Sequence, residues 1–152
     1  SPKENRTIPP LRYPEIYRLK KDFPDLPIEI NGGIRTLMET KEHLRRLDAV
    51  MIGRAAWDDP MMLRTADSLI FGESDPNPDD QALVQAMTNH AHRWLSCGDR
   101  RRMMTVVRPL LQLFWGQPGA RRWRRTLSQA AQNRNAGPEI IGQAWAAMQS
   151  MA

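Results

Sequence analysis

Residues 27–54, PIEINGGIRTLMETKEHLRRLDAVMIGR, decide the fold. A short β-rich run ends at Asn31 and closes on two glycines. A helix is expected over roughly Thr36–Leu47, with Leu37, His43, Leu44 and Leu47 at helical spacing. The apolar run AVMI then ends on Gly53 and Arg54. Two strands joined through a helix lie parallel in one sheet, with a right-handed crossover. AVMI is nearly all apolar, which predicts a strand covered on both faces. IEIN alternates instead, so Ile28 and Ile30 are expected to face helices, with Glu29 and Asn31 on the opposite face. Two parallel strands leave their outer edges unpaired, so this segment is expected to close a larger sheet.

Upstream, residues 1–14 (SPKENRTIPPLRYP) are polar and proline-rich and read as a loop. A helix follows, with Pro14 in its first turn, Ile16, Leu19 and Phe23 as its stripe, and Pro24 as its stop. Downstream, a short helix is expected near Pro60–Phe71, and GESDPNPDD has the composition of a linker. Four amphipathic helices should follow. The first is capped by Asp79 or Asp80 and stopped by Gly98. The second covers about Arg101–Trp115, the third starts after Pro118-Gly119 and the fourth near Pro138. The expected organisation is therefore an α/β part over residues 1–70 and an all-α bundle over residues 71–152.

The chain has 152 residues, 41% of them hydrophobic, enough for a real core. No window approaches 18 consecutive apolar residues, which excludes a membrane-spanning helix. The single cysteine, Cys97, excludes an intramolecular disulfide framework and, with no signal-peptide pattern, suits a cytoplasmic setting. The charge is +5, from 22 Lys and Arg against 17 Asp and Glu, and it is unevenly placed. Residues 1–70 are nearly neutral, whereas Asp99 is the one acid among the arginines of residues 93–134. Arginine suits bidentate phosphate contacts, so a polyanion is the partner to test first, nucleic acid before a membrane surface. A solvated charged face is the competing explanation.

Asn31, Gly32 and Gly33, and likewise Gly53 and Arg54, each follow a strand and precede a helix. Glycine lets backbone amides approach an anion, and arginine adds a charged fork. In a (β/α)8 barrel, the loops after the last two strands often hold a phosphate. Asn-Gly is equally a common tight-turn pair, so that explanation stays open. In GARRWRRTL, at about 100° per residue, Ala120, Trp123, Leu127 and Ala130 share one arc. Arg121, Arg122, Arg124 and Arg125 are placed opposite, where phosphate-backbone binding explains them best. His90 and His92 are two apart and cannot chelate together. Cys97 has no neighbouring base and reads as an idle or buried thiol. The methionines and tryptophans read as core, and His43 as an ordinary helix residue. No catalytic triad, carboxylate pair or metal-ligand set is present.

SPKENRTIPPLRY, DFPDLPIEINGGI, VMIGRAAWDDP, IFGESD and GQPGARRWRRTLS together resemble the tRNA-dihydrouridine synthases, most closely the A subfamily. The resemblance runs over nearly the whole chain. It implies a flavin-dependent (β/α)8 TIM barrel followed by a helical tRNA-binding domain. It further implies that NADPH reduces FMN, which passes hydride to the C5–C6 bond of a D-loop uridine at positions 20 or 20a. Carried over by position, Asn31, Gly32, Gly33, Gly53 and Arg54 match the FMN-phosphate loops. Lys3, Arg6, Arg121 and Arg124 match tRNA contacts. The family's catalytic cysteine belongs to the barrel's first half, and Cys97 does not match its motif. The chain thus resembles the C-terminal half of such an enzyme and is expected to be inactive alone, with weak FMN binding. The alternatives are a non-catalytic RNA-binding remnant, or another FMN or sugar-phosphate barrel that would leave the KENR segment and the arginine helix unexplained.

Overall fold

The computed structural model describes residues 10–76, 79–98 and 102–150. The chain is mixed α/β and divides into two compact units. A sheet unit takes in the chain up to Ala56 together with Met62–Asp75, and a helical unit takes in Trp57–Met61 and the chain from Pro76.

In the sheet unit, α1 (Tyr13–Asp22) leads to β1 (Glu29–Asn31), α2 (Leu37–Leu44) and β2 (Ala49–Met51). The strands pair in parallel, with Glu29 opposite Ala49, Ile30 opposite Val50 and Asn31 opposite Met51. A capping box starts α2: the Thr36 hydroxyl accepts the Glu39 amide, while the Glu39 carboxylate accepts the Thr36 amide. Asp48 ties the entry to β1, accepting from the Ile28 amide and pairing with the Lys20 ammonium at 2.8 Å. Ile30, Ile34 and Leu47 form the buried cluster, with Tyr13, Ile16, Tyr17, Ile28, Val50 and Ile52 packed on it.

The sheet unit differs from expectation in three places. Met51 is 46% exposed, so AVMI is not covered on both faces among the described residues. The side chains packed on Ile30 come from α1 and from around the strands, and Glu29 and Asn31 are exposed. Leu19 and Phe23 of the expected α1 stripe are also exposed, at 40% and 58%. His43, by contrast, is buried: its Nδ1 lies 2.7 Å from the Tyr17 hydroxyl and its ring meets Tyr13 edge-on at 4.7 Å.

The short helix expected near Pro60–Phe71 is two pieces, preceded by a one-turn helix. The one-turn helix, α3, spans Arg54–Asp58, followed by a 3₁₀ segment (Pro60–Thr65) and a π-helical turn (Asp67–Phe71). Gly72, at φ +71°, ends the last, and the Asp75 carboxylate then accepts both the amide and hydroxyl of Ser68.

The helical unit contains α4 (Asp80–Ser96), α5 (Met103–Leu110), α6 (Ala120–Ala130) and α7 (Glu139–Gln149). The Asp79 carboxylate caps α4 through the Ala82 amide. Trp123, Phe114, Leu127, Ile141 and Val107 are fully enclosed. Trp123 meets Phe114 edge-on at 4.9 Å and donates its indole N–H to the Leu110 carbonyl at 2.8 Å. The helix expected over Arg101–Trp115 is shorter. Pro109 has no N–H and crowds the preceding turn, so α5 stops at Leu110, and i→i+3 bonds carry the chain to Gln117. Gly119 then turns the chain at φ +80°; a Cβ there would lie 2.7 Å from the Met148 carbonyl oxygen of α7. That close approach brings α6 and α7 together.

Candidate functional site

Because β1 and β2 run parallel and in register, the turns at Gly32–Gly33 and Gly53–Arg54 leave the same end of the sheet side by side. Gly32 and Gly33 have φ of +126° and +72°, conformations that side chains rarely adopt. The turn is also braced. Tyr13 donates its hydroxyl to the Gly32 carbonyl at 2.6 Å, and a Cβ on Gly33 would collide with Leu11. Turn geometry and packing thus demand both glycines by themselves. The Glu39 carboxylate takes up the Arg35 and Thr36 amides just beyond, and these bonds hold its pKa below the ordinary value. The second turn differs. Nothing lies within 4 Å of a Cβ built on Gly53, and Arg54 is exposed with no ion pair among the described residues. An open glycine next to a free guanidinium, beside a second glycine turn, is donor chemistry that fits a phosphate.

The arginine helix has a clear inner and outer side. Trp123 and Leu127 are buried, with Ala120 and Ala130 packed beside them. Arg121, Arg124, Arg125 and Ser128 line a shallow concavity of about 420 Å³. Arg122 departs from the expected outward set. It reaches back to α7, donating to the Ser150 hydroxyl at 2.8 Å and the Ala147 carbonyl at 3.4 Å, near the C-terminal end where a cation is favoured. Three arginines therefore share the outer face, without an acidic partner among the described residues. Their placement is unfavourable in isolation. The first turn of α6 has no acid and the N-cap Gly119 offers no side-chain acceptor, so positive charge sits at the positive end of the helix. Arg121 and Arg125 are also like charges four residues apart. An anion lying along this face would relieve both costs.

A family model described as dihydrouridine synthase matches residues 1–149. The chain belongs to the dihydrouridine synthase family. Relatives named tRNA-dihydrouridine(20/20a) synthase agree with it at high identity. That of Synechocystis is 48% identical over 93% of this chain, that of Salmonella typhi 49% over 95%, and that of Vibrio cholerae 47% over 96%. These matches span 42%, 43% and 44% of the relatives' own lengths, so the chain spans less than half of each.

Of the residues that resemblance assigned in this dihydrouridine synthase chain, Lys3 and Arg6 lie outside the described residues. Asn31, Gly32, Gly33, Gly53 and Arg54 fall at one end of one sheet, and Arg121 and Arg124 line one concavity. The resemblance did not assign Arg125, which helical angle had already placed beside Arg121, or Ser128, seven residues along the same face. It also missed Leu11 and Tyr13, which no local pattern ties to a glycine turn some twenty residues away. Cys97 is exposed, with its thiol against the Arg93 carbonyl. Among the described residues no group of His, Cys, Asp or Glu is arranged for a metal, and no helix is long and apolar enough to cross a membrane.

Proposed function

We propose that this chain supplies the flavin-phosphate turns and part of the tRNA-binding surface of an enzyme that reduces uridine to 5,6-dihydrouridine in the tRNA D-loop. The observation that carries this reading is the family match over residues 1–149. The relatives' name, tRNA-dihydrouridine(20/20a) synthase, supports positions 20 and 20a as targets. In this reading the sheet unit is the end of a TIM barrel and the helical unit is a tRNA-binding domain.

Gly53 and Arg54, with the amides of Gly32 and Gly33, would hold the FMN phosphate, and Asn31 would stand at the strand end beside it. When bound, FMN reduced by NADPH supplies the hydride for the uridine C5–C6 bond. Arg121 and Arg124, with Arg125 beside them, would neutralise phosphates of the tRNA backbone and so orient the uridine. Lys3 and Arg6 belong to the same proposed set of tRNA contacts. The proton donor and the rest of the flavin site would come from outside this chain, so the chain alone is expected to form no dihydrouridine.

A chimera in which this chain replaces the matching segment of the Synechocystis relative tests the proposal. It should restore dihydrouridine to the tRNA of a strain lacking its own synthases. The Arg121→Ala plus Arg124→Ala chimera should bind tRNA more weakly, with a log–log salt slope reduced by about 2, roughly one per lost phosphate contact. A folded chimera that binds flavin yet leaves the tRNA unmodified would overturn the reading.

A further inference from the structure

A second cavity lies in the helical unit, at the far end of α6 from Gly119. It has a volume of about 290 Å³. Arg102, Met103 and Met104, at the start of α5, line one side, and Gln132, Asn133 and Arg134, just beyond α6, line the other. Its chemistry is unlike that of the α6 face, because apolar and polar groups converge there. Met103 is 3% exposed and belongs to the core, so the methionine wall is fixed from behind. Asn133 accepts the Asn135 amide through Oδ1, which leaves its NH₂ to donate, and Gln132 is exposed. Arg102 and Arg134 are exposed and have no ion pair among the described residues. Between Asp80 and the end of the chain the only acids are Asp99 and Glu139, and Glu139 accepts the Gly137 amide.

Of the cavity's lining, Gln132 follows the arginine face by spacing. At about 100° per residue, Arg121, Arg124, Arg125 and Ser128 lie within one arc of roughly 100°. Gln132 follows Ser128 by four, and its amide bonds to the Gln129 carbonyl, so the last turn carries that face onward. At about 1.5 Å per residue, the cavity starts roughly 15 Å along from Arg121. We propose that this pocket takes one unstacked nucleotide of the RNA whose backbone lies along α6. The base would lie against Met103 and Met104, the Gln132 and Asn133 amides would read its edge, and Arg102 and Arg134 would hold the flanking phosphates. Splayed bases are how proteins read single-stranded RNA, and an adaptable thioether wall with amide groups suits one. The proposal rests on the reading of this chain as a tRNA binder.

The test uses the full 152-residue chain and an unmodified tRNA transcript, with affinity measured across a salt series. The Gln132→Ala plus Asn133→Ala variant should lose about tenfold in affinity with its salt slope unchanged. The Arg102→Ala plus Arg134→Ala variant should lower the slope. A transcript carrying 4-thiouridine should photocross-link to peptides holding Met103 and Met104. If the arginine variant changes the slope while the amide variant and the cross-link show nothing, the site takes phosphate alone and the nucleotide assignment is overturned. If Arg121→Ala plus Arg124→Ala weakens binding but no pocket variant does, the pocket is overturned and the tRNA-binding reading survives. If none of these variants changes binding, both fall together. Unaltered tryptophan fluorescence in each variant confirms that the helical unit is folded.

Discussion

The two units finish their cores to different degrees. In the helical unit one buried cluster runs from Val84 to Met148 and encloses two large aromatic side chains completely. In the sheet unit the buried cluster is Ile30, Ile34 and Leu47, beneath two three-residue strands. The exposed large apolar side chains follow the same division. Leu11, Leu19, Phe23, Leu26, Met38, Met51, Leu63 and Phe71 belong to the sheet unit, and Trp57 and Trp115 to the helical unit. Contiguous exposed apolar surface marks a place where another surface packs, and two parallel strands do not make a stable sheet alone. The helical unit encloses its large aromatic side chains, whereas the outer edges of β1 and β2 have no strand partner among the described residues. This fits relatives more than twice as long as the chain. The contrast also divides the proposed work: an RNA-binding face on a finished scaffold, and phosphate turns on an unfinished one.

The strongest way to break this contrast is Trp123→Ala. The side chain is 0% exposed, packs edge-on to Phe114 and donates to the Leu110 carbonyl, which also accepts the Leu113 amide. Its loss should cost the helical unit about 3–5 kcal/mol, chiefly through the cavity it leaves. Hydrogen exchange should show protection falling in α6 and α7, with that of β1 and β2 unchanged. Equal loss in both units would mean that they unfold as one and that the contrast is not energetic.

Thr36→Ala probes the other side with a smaller effect. The hydroxyl accepts the Glu39 amide as half of the capping box, so its removal should cost about 1 kcal/mol. In a unit with so small a buried cluster, that loss should open α2 and the glycine turn before it next to β1. Protection in the helical unit should not change. If α2 keeps its protection, the sheet unit is more stable than its buried cluster implies.

What could be read from residues 27–54 was whatever depends on local order: strand, glycine turn, capped helix, strand and therefore parallel pairing. The Trp123 and Leu127 side of α6 was legible for the same reason, since a period of 3.6 fixes which residues share a face. Periodicity failed where a side chain chose its partner across space. Arg122 has the same local surroundings as its neighbours, yet the C-terminal end of α7 turns it inward. His43 looked ordinary because Tyr13 and Tyr17, which enclose it, are on another helix. AVMI read as a doubly covered strand, since an apolar run states what a residue prefers and not what is there to cover it. Pro109 was visible in the sequence, and the apolar stripe running past it outweighed it wrongly.

The smallest effect sharpens the contrast by pH. Three carboxylates have pKa values held below their ordinary 4.5 for Glu39 and 3.8 for Asp48 and Asp75, and all three belong to the sheet unit. The Arg35 amide, followed by the Thr36 amide and hydroxyl, favours the ionised form of Glu39. The Lys20 ammonium and then the Ile28 amide do so for Asp48, and the Ser68 hydroxyl and amide for Asp75. A carboxylate whose folded pKa is depressed binds its proton more readily in the unfolded chain. It therefore contributes stability above the unfolded pKa and loses it as pH falls toward the folded value. Between about pH 5 and pH 3, protection of β1, α2 and the Ser68–Asp75 turn, corrected for intrinsic exchange rates, should fall further than that of α6 and α7. All three groups face solvent, so screening keeps the effect below that of Thr36→Ala, and added salt should shrink the Lys20–Asp48 part first. Acid that loosened the helical unit first would place the pH-sensitive contacts in the wrong half of the molecule and undo the comparison.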